Sequence, residues 1–443
     1  MNKQDAIKKL KEIDQEQLLK SAGSFDLERV LKQIDQLDLA EFKLQQSYLL
    51  NPPKPVKASI ESFLDYSSAG NQNDFAAGKQ LIAKGLMGCL IVAGGQGTRL
   101  RFNGPKGMFG VTPIKNKSLF QLLSEKTAAA SKQANRLLPL AIMTSPLNHK
   151  ETVYFFQEHQ YFGLDPLQVT FFSQGMLPFL DAQGNLVLTP QGAIAEGPDG
   201  NGSSLKHFYD EGIWKQWHEQ GIQYLNYILI DNALADPFDA ELLGNHVRQS
   251  AEITLKCTYR LNAQENVGVV VKNNGRVQVM EYAEMPAEER FATEHDGSLK
   301  YPCANLSTFC FSMETVKNAA LHNHSLMPLH LTFKPIPEDP SHQKKAWKFE
   351  QFIFDLLPHT DRVNALLYPR EICFAPLKNF SGDDSLATVQ AALIRRDQQI
   401  IEQITQKKCA ANPIEISPEF YYPLPKLLRK WRGKEVASGY IDP

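Results

Sequence analysis

From about residue 85 onward, short apolar runs alternate with stretches at helical spacing, and this alternation constrains the fold more than any other feature. Strands are expected over 86–93, 137–144, 169–172, 224–230, 252–259, 268–271, 277–282 and 306–311. Helices are expected over 118–132, 148–159, 204–211, 239–249 and 347–357. Such alternation builds a mostly parallel α/β sheet covered on both faces. Ligands of these sheets bind outside the carboxyl ends of the strands. The later strands follow one another without helices between them, so the sheet is expected to be mixed. "DAQGN" at 181–185, between two apolar runs, reads as a hairpin turn.

At about 150 residues per domain, 443 residues predict two or three domains. Leu27, Val30, Leu31, Ile34 and Leu37 recur at helical spacing, and "NPPKPV" at 51–56 breaks that pattern. The expected layout is a mostly helical N-terminal module over 1–80, a central α/β domain over 81–380 and a small C-terminal domain over 381–443. The last holds a helix near 384–406 and a basic run, "KLLRKWRGK", which reads as a solvated face.

Net charge excludes some partners. A formal charge of -2 provides no global positive field for nucleic acid or an anionic membrane. The six cysteines are scattered and form no CxxC pair, so free thiols are expected rather than a zinc site or disulfide framework. The N-terminus is polar and no apolar run approaches the roughly 20 residues of a membrane span. A cytoplasmic protein is expected; its oligomeric state is left open.

The sharpest local signal is "AGGQGTRLRFNGPKGM", Ala93 to Met108, directly after the first apolar run. Glycines at a strand end let main-chain N–H groups approach an anion. Arg99, Arg101 and Lys106 add charge there. A P-loop is excluded because Lys106 is followed by Gly107 and Met108. A dinucleotide fingerprint needs a helix opening directly after the glycines, whereas Pro105 intervenes. A phosphate-binding loop of the "GGxGTRL…PK" kind fits the spacing. Ser118 with Gln121 three residues on reads as a capping box for the helix that follows.

These residues resemble the UDP-N-acetylhexosamine pyrophosphorylases, within the UTP-dependent sugar-1-phosphate uridylyltransferases. The resemblance continues through "IMTS", "YFGL", "FFSQGMLP", "PDGNG", "IDN", "VGVV", "VMEYAEM", "KFEQFIFD", "PLKN" and "EISP", in that order over about residues 85–420. It implies a Rossmann-like GT-A type nucleotidyltransferase domain with a mixed central sheet. The implied reaction joins UTP and a hexose 1-phosphate to give a UDP-sugar, UDP-N-acetylglucosamine first among them, and pyrophosphate.

The sugar phosphate is mostly dianionic at pH 7, its second pKa being about 6, so the reaction calls for no general base. It calls for alignment and neutralisation of two polyanions. Arg99 and Lys106 suit the departing pyrophosphate, and the resemblance assigns both to catalysis with Lys378. Asp231 ends the strand "YLNYILID", at the ligand edge of the sheet, where a carboxylate can hold Mg²⁺; a helix N-cap is the other reading. The resemblance makes Ala93, Gly94, Gly95, Gln174, Gly200, Asn201 and Asp231 nucleotide contacts. It makes Gly268, Glu281, Asn305 and Phe352 the sugar pocket. Taken alone, "PDGNG" is a tight turn and Phe352 a core ring.

Two departures stand out. Arg101 occupies a position where the family usually has glycine, and either adds a phosphate contact or points to solvent. In "ANLSTFCF" Asn305 is kept, but Thr308 and Phe309 replace an Asn and a His of the family's sugar strand. A UTP–glucose-1-phosphate uridylyltransferase, or a broad UDP-sugar pyrophosphorylase, is therefore the near alternative. A non-catalytic UDP-sugar-binding protein is the alternative of another class.

Overall fold

The structure is a computed structural model that describes residues 3–20, 27–52, 60–282, 284–337, 339, 341, 343–410 and 412–443. The chain divides into two compact units. One comprises residues 59–173, 205–321 and 356–443, and the other 1–58, 174–204 and 322–355.

The larger unit is built on an 11-stranded mixed sheet. Along its main path the strands run Tyr66–Ser68, Val363–Leu367, Ile253–Tyr259, Cys303–Ser312, Tyr224–Leu229, Met87–Val92, Leu140–Thr144 and Val169–Ser173. The neighbours from Tyr224–Leu229 to Val169–Ser173 are parallel. Cys303–Ser312 is antiparallel to both its path neighbours. It also meets Val269–Asn273, which is in turn antiparallel to Arg276–Met280. Every strand expected from the sequence is found. Met87–Val92 and Leu140–Thr144 are buried at every residue, which is why they read as unbroken apolar runs.

Four expected helices are present, as Leu119–Ala134, His149–Glu158, Ser204–Asp210 and Ala240–Arg248. Ser118 caps the first by accepting the Gln121 N–H. The reciprocal half of the box is replaced, because the Gln121 amide donates to Glu125 instead. The fifth, over 347–357, is corrected: Lys345–Glu350 is a strand and Ile353–His359 a 3₁₀ helix. The strand pairs with His330–Pro335, a partner that helical spacing could not reveal. In the C-terminal region a helix covers Leu386–Thr405, and Ile414–Ile416 pairs with Gly439–Ile441. Most of the basic run forms the short helix Pro425–Trp431, with Lys426, Arg429 and Lys430 exposed.

The boundaries expected at 80 and 380 do not coincide with the two units. Residues 59–80 belong to the larger one, where Asp74 is bonded by Asn245 and Arg248. The region 381–443 belongs there too, and Asp397 of its long helix accepts the Ile416 N–H and the Tyr421 hydroxyl.

In the smaller unit the helix Leu27–Gln36 buries Val30 and Ile34 with Leu177, Leu180, Leu186, Ile194, Leu329 and Phe349. Leu31 and Leu37 are partly buried on the same cluster, while the Leu27 side chain and residues 53–56 of "NPPKPV" lie outside the described residues. The hairpin turn is present, with the Asp181 N–H donating to Asn185 O and Leu180 bridging Leu186.

Candidate active site

Two adjacent parallel strands, Met87–Val92 and Tyr224–Leu229, end side by side, and the Ile230 N–H donates to Val92 O at 3.0 Å. The first runs into Ala93, Gly94 and Gly95 and the second into Asp231. The glycine loop then closes on itself. Gly97 N–H donates to Gly104 O at 2.9 Å and Lys106 N–H to Gly95 O at 3.1 Å. Buried Asn148 supports it from below, its amide donating to the carbonyls of Ala93 and Gly95 at 3.2 and 3.4 Å. Among the described residues the N–H groups of Gly94 and Gly95 meet no acceptor, so they can serve an anion.

The loop delivers Lys106 to Asp231. Its ammonium lies 3.6 Å from the Asp231 carboxylate, with the two side chains only 12% and 18% exposed. The next residue fixes its backbone: a Cβ at Gly107 would stand 2.3 Å from the Phe120 ring, so that ring packs on bare main chain. Asp231 is no helix N-cap, because the next helix is capped by Asp239.

Lys378 reaches the same edge. The Leu377 N–H donates to Asp231 O at 2.8 Å, which sets Lys378 one residue away. Its ammonium is turned to Asp384 at 3.5 Å. Asn232 brackets both loops: its side-chain oxygen accepts the N–H groups of Leu234 and Ala375, and its amide donates to Cys373 O. Arg99, on the one-turn helix Thr98–Leu100, is exposed and has no ion-pair partner among the described residues. Buried Lys126 donates to the carbonyls of Ala233 and Ala235, pinning the turn after Asp231. Burial lowers its pKa to about 8.

A second cluster in the larger unit gathers Gly268, Glu281 and Asn305. The Asn305 N–H donates to Gly268 O at 2.9 Å. A Cβ at Gly268 would stand 3.2 Å from a Glu281 carboxylate oxygen and 3.9 Å from the Asn305 Cβ. The strand bulges between Asn305 and Thr308, with Ser307 left-handed. Phe309 turns away into an aromatic core with Tyr227 and Phe311. Its departure from the family's His is therefore absorbed by that core.

Gln174, Gly200, Asn201 and Phe352 belong to the smaller unit and gather there. Gly200 bridges Gln351, and the Asn201 side chain accepts the Ile353 N–H at 3.1 Å, flanking Phe352. Gly175, next to Gln174, accepts the Asp199 N–H at 3.2 Å. Gly200 has φ 89°, and a Cβ there would stand 2.3 Å from Gln351 O, so only glycine fits. Phe352 is partly exposed and stacks on Phe354 at 5.2 Å, which sets it apart from a plain core ring.

Sequence reasoning missed Asn148, Asn232 and Lys126. All three act on main-chain carbonyls or N–H groups, which leave no mark in residue type. Asn232 alone had a signal, standing beside Asp231 in "IDN".

The family profile described as UTP–glucose-1-phosphate uridylyltransferase matches residues 44–424. A Saccharomyces cerevisiae protein named UDP-N-acetylglucosamine pyrophosphorylase is 30% identical over 401 residues, spanning 87% of this chain and 83% of the relative. An Arabidopsis thaliana protein named UDP-N-acetylglucosamine diphosphorylase 2 is 29% identical, spanning 86% and 81%. The solved uridine diphosphate N-acetylglucosamine pyrophosphorylase of Trypanosoma brucei superposes with a TM-score of 0.84 at 26% identity, covering 97% of this chain and 96% of that one.

Proposed function

The chain belongs to the UTP–glucose-1-phosphate uridylyltransferase family, and on that premise we propose that it forms UDP-N-acetylglucosamine and pyrophosphate from UTP and N-acetylglucosamine 1-phosphate. It is a nucleotidyltransferase of the UDP-sugar pyrophosphorylase kind. The observation that carries the site assignment is the meeting of Lys106 and Asp231 at the ends of two adjacent parallel strands. We read the sheet as Rossmann-like and of GT-A type; its parallel half and the position of the glycine loop support this.

In this reading the exposed amides of Gly94 and Gly95 face phosphate or base, and Arg99 and Lys106 receive the β- and γ-phosphates. As the sugar phosphate attacks the α-phosphorus in line, the bond to the bridging oxygen breaks and negative charge grows on the departing pyrophosphate. Two cations placed there stabilise that charge more than the ground state, which is what lowers a barrier. Lys378, released from Asp384, meets the α-phosphate. Gln174, Gly200 and Asn201 read uracil and ribose. Gly268, Glu281 and Asn305 hold the sugar, with Glu281 accepting hydroxyl hydrogens.

Mg²⁺ fits this donor set. Among the described residues no group of three or more His, Cys, Asp or Glu converges. One partly exposed carboxylate at Asp231 suits a hard cation that takes most of its ligands from phosphate and water. Asp231 would hold the ion, which would supply further positive charge to the phosphates.

Among the described residues no helix is long and apolar enough to cross a membrane. The six thiols are free, five of them buried, which supports the cytoplasmic setting read from the sequence.

The test is pyrophosphate release with Mg-UTP and N-acetylglucosamine, N-acetylgalactosamine or glucose 1-phosphate. Turnover with the first is expected. Turnover with glucose 1-phosphate alone would move the assignment to UDP-glucose. UDP-sugar binding without turnover on any sugar would favour a non-catalytic binder.

A further inference from the structure

Arg101 closes the one-turn helix of the glycine loop in a left-handed conformation, φ 56° and ψ 31°. A residue with a Cβ is disfavoured there, whereas glycine adopts it freely. The guanidinium lies 4.2 Å above the centroid of the Phe380 ring. Phe380 is itself 54% exposed, a large ring held outside the core. Both backbones are firmly placed. The Arg101 N–H donates to Thr98 O at 3.0 Å. The N–H groups of Lys378 and Asn379 both donate to Asp384 O, and the Asn379 amide donates to Asp383 O.

These contacts complete a circuit. The Asp231 carbonyl takes the Leu377 N–H, and three residues on the chain reaches Phe380. Its ring meets Arg101, and from there the glycine loop runs back to Lys106, whose ammonium meets the Asp231 carboxylate. The two loops joined by Arg101 and Phe380 are the ones that carry Arg99 and Lys106 on one side and Lys378 on the other. Arg101 is exposed, and its guanidinium covers a ring on the opposite loop.

The geometry points to a clasp in which Arg101 and Phe380 pin the two cation-bearing loops together, holding Arg99, Lys106 and Lys378 at the spacing that one triphosphate requires. Arg101 is then a positioning residue. The backbone strain at 101 is tolerated because the side chain fastens the mouth of the site. The inference rests on the uridylyltransferase reading above and adds to it how the cations are kept in register.

The test compares Arg101→Gly, Phe380→Ala, the double variant and Phe380→Tyr. Turnover of Mg-UTP and a hexose 1-phosphate by the unaltered protein tests the reaction itself. Mg-UTP affinity by titration calorimetry tests the clasp whether or not turnover is seen. Each single substitution is expected to lower kcat/KM for UTP, or Mg-UTP affinity, by about tenfold. The double variant is expected to lose no more than either single one, because both break the same contact. Phe380→Tyr keeps the ring face and is expected to keep activity. Arg101→Gly relieves the strain, so its Tm is expected to equal or exceed that of the unaltered protein. Multiplicative losses in the double variant, of about hundredfold, would overturn the clasp. So would unchanged kinetics and affinity in Phe380→Ala, or a loss in Arg101→Gly that follows a lowered Tm.

Discussion

The ammonium of Lys106 stands 3.6 Å from the carboxylate of Asp231, across two loops that leave adjacent strands. At such a distance and an effective dielectric near 20, a unit charge pair attracts by about 4 kcal/mol before desolvation is subtracted. In the proposed reading, a triphosphate entering here would meet a cation already oriented by its partner. On that reading the pair would also set the polarity of the site, the carboxylate serving a metal and the ammonium the leaving group.

Lys106→Ala is expected to lower kcat by about 10²–10³, the scale of removing one donor from developing charge. UDP-sugar affinity should change far less, because the product lacks the departing pyrophosphate. Steady-state pyrophosphate release and titration with UDP-sugar separate the two. Equal losses in both would contradict the leaving-group role.

Asn232→Ala removes an acceptor for two N–H groups and a donor for one carbonyl, in a side chain only 4% exposed. Burying such groups unpaired costs about 1–3 kcal/mol each before relaxation, so a loss of at least about 2 kcal/mol is expected. Because the bracket ties Ala375 and Cys373 to the turn after Asp231, kcat should fall with it. Urea unfolding followed by tryptophan fluorescence, alongside kinetics, checks both effects. Wild-type kcat in the variant would show that the bracket does not position Lys378.

Gly268→Ala would place a Cβ 2.7 Å from a Val279 methyl and 3.2 Å from the Glu281 carboxylate. The Val279 methyl must shift, and the Glu281 carboxylate must give by a few tenths of an ångström. The expected result is a KM for the sugar phosphate raised about tenfold or more, with the KM for UTP little changed. A rise in the KM for UTP alone would place this cluster away from the sugar.

Two buried groups give stability opposite pH slopes. Burial pushes the Asp397 carboxyl up to about 7, against smaller opposing effects from the Tyr421 hydroxyl, the Ile416 N–H and Lys126. Between about pH 4 and 7 the folded protein then holds a proton that the unfolded chain has released. Its contribution, on the order of 4 kcal/mol, is full below that window and lost as pH rises through it. Burial lowers His246 to about 4, where it is held by Thr254 and Ser312. Between about pH 6.5 and 4 the unfolded chain takes up a proton that the folded protein refuses, so this contribution is lost as pH falls. Unfolding free energies of Asp397→Asn and His246→Gln, each subtracted from the parent across pH 4–7, should slope in opposite directions. Parallel slopes would refute the assignments.

Much of the larger unit was legible because its signals are local. Apolar runs such as Met87–Val92 are buried on both faces, and their composition reports that directly. Ser118 caps a helix with its own side chain, and in the smaller unit the Asp181–Asn185 turn closes within five residues. The 347–357 segment was misread because Phe349 and Phe352 share a helical interval, while a hairpin partner over His330–Pro335 decides the matter. Propensity and spacing yield to such a partner when it supplies the hydrogen bonds.

The sequence by itself determined the strand and helix succession, the glycine loop, and the residue types assembled at the strand ends. These depend on interactions within a few residues, so composition and spacing carry them. Only the tertiary structure decided that Lys106 faces Asp231, that Lys378 is held by Asp384, and that Arg101 covers Phe380. It alone joined residues 1–58 to 174–204 and 322–355, where Val30 and Ile34 find their apolar cover. All of these pairings except Lys378–Asp384 close a long stretch of chain. Their entropic cost is met by the whole packed core, so no local pattern announces them.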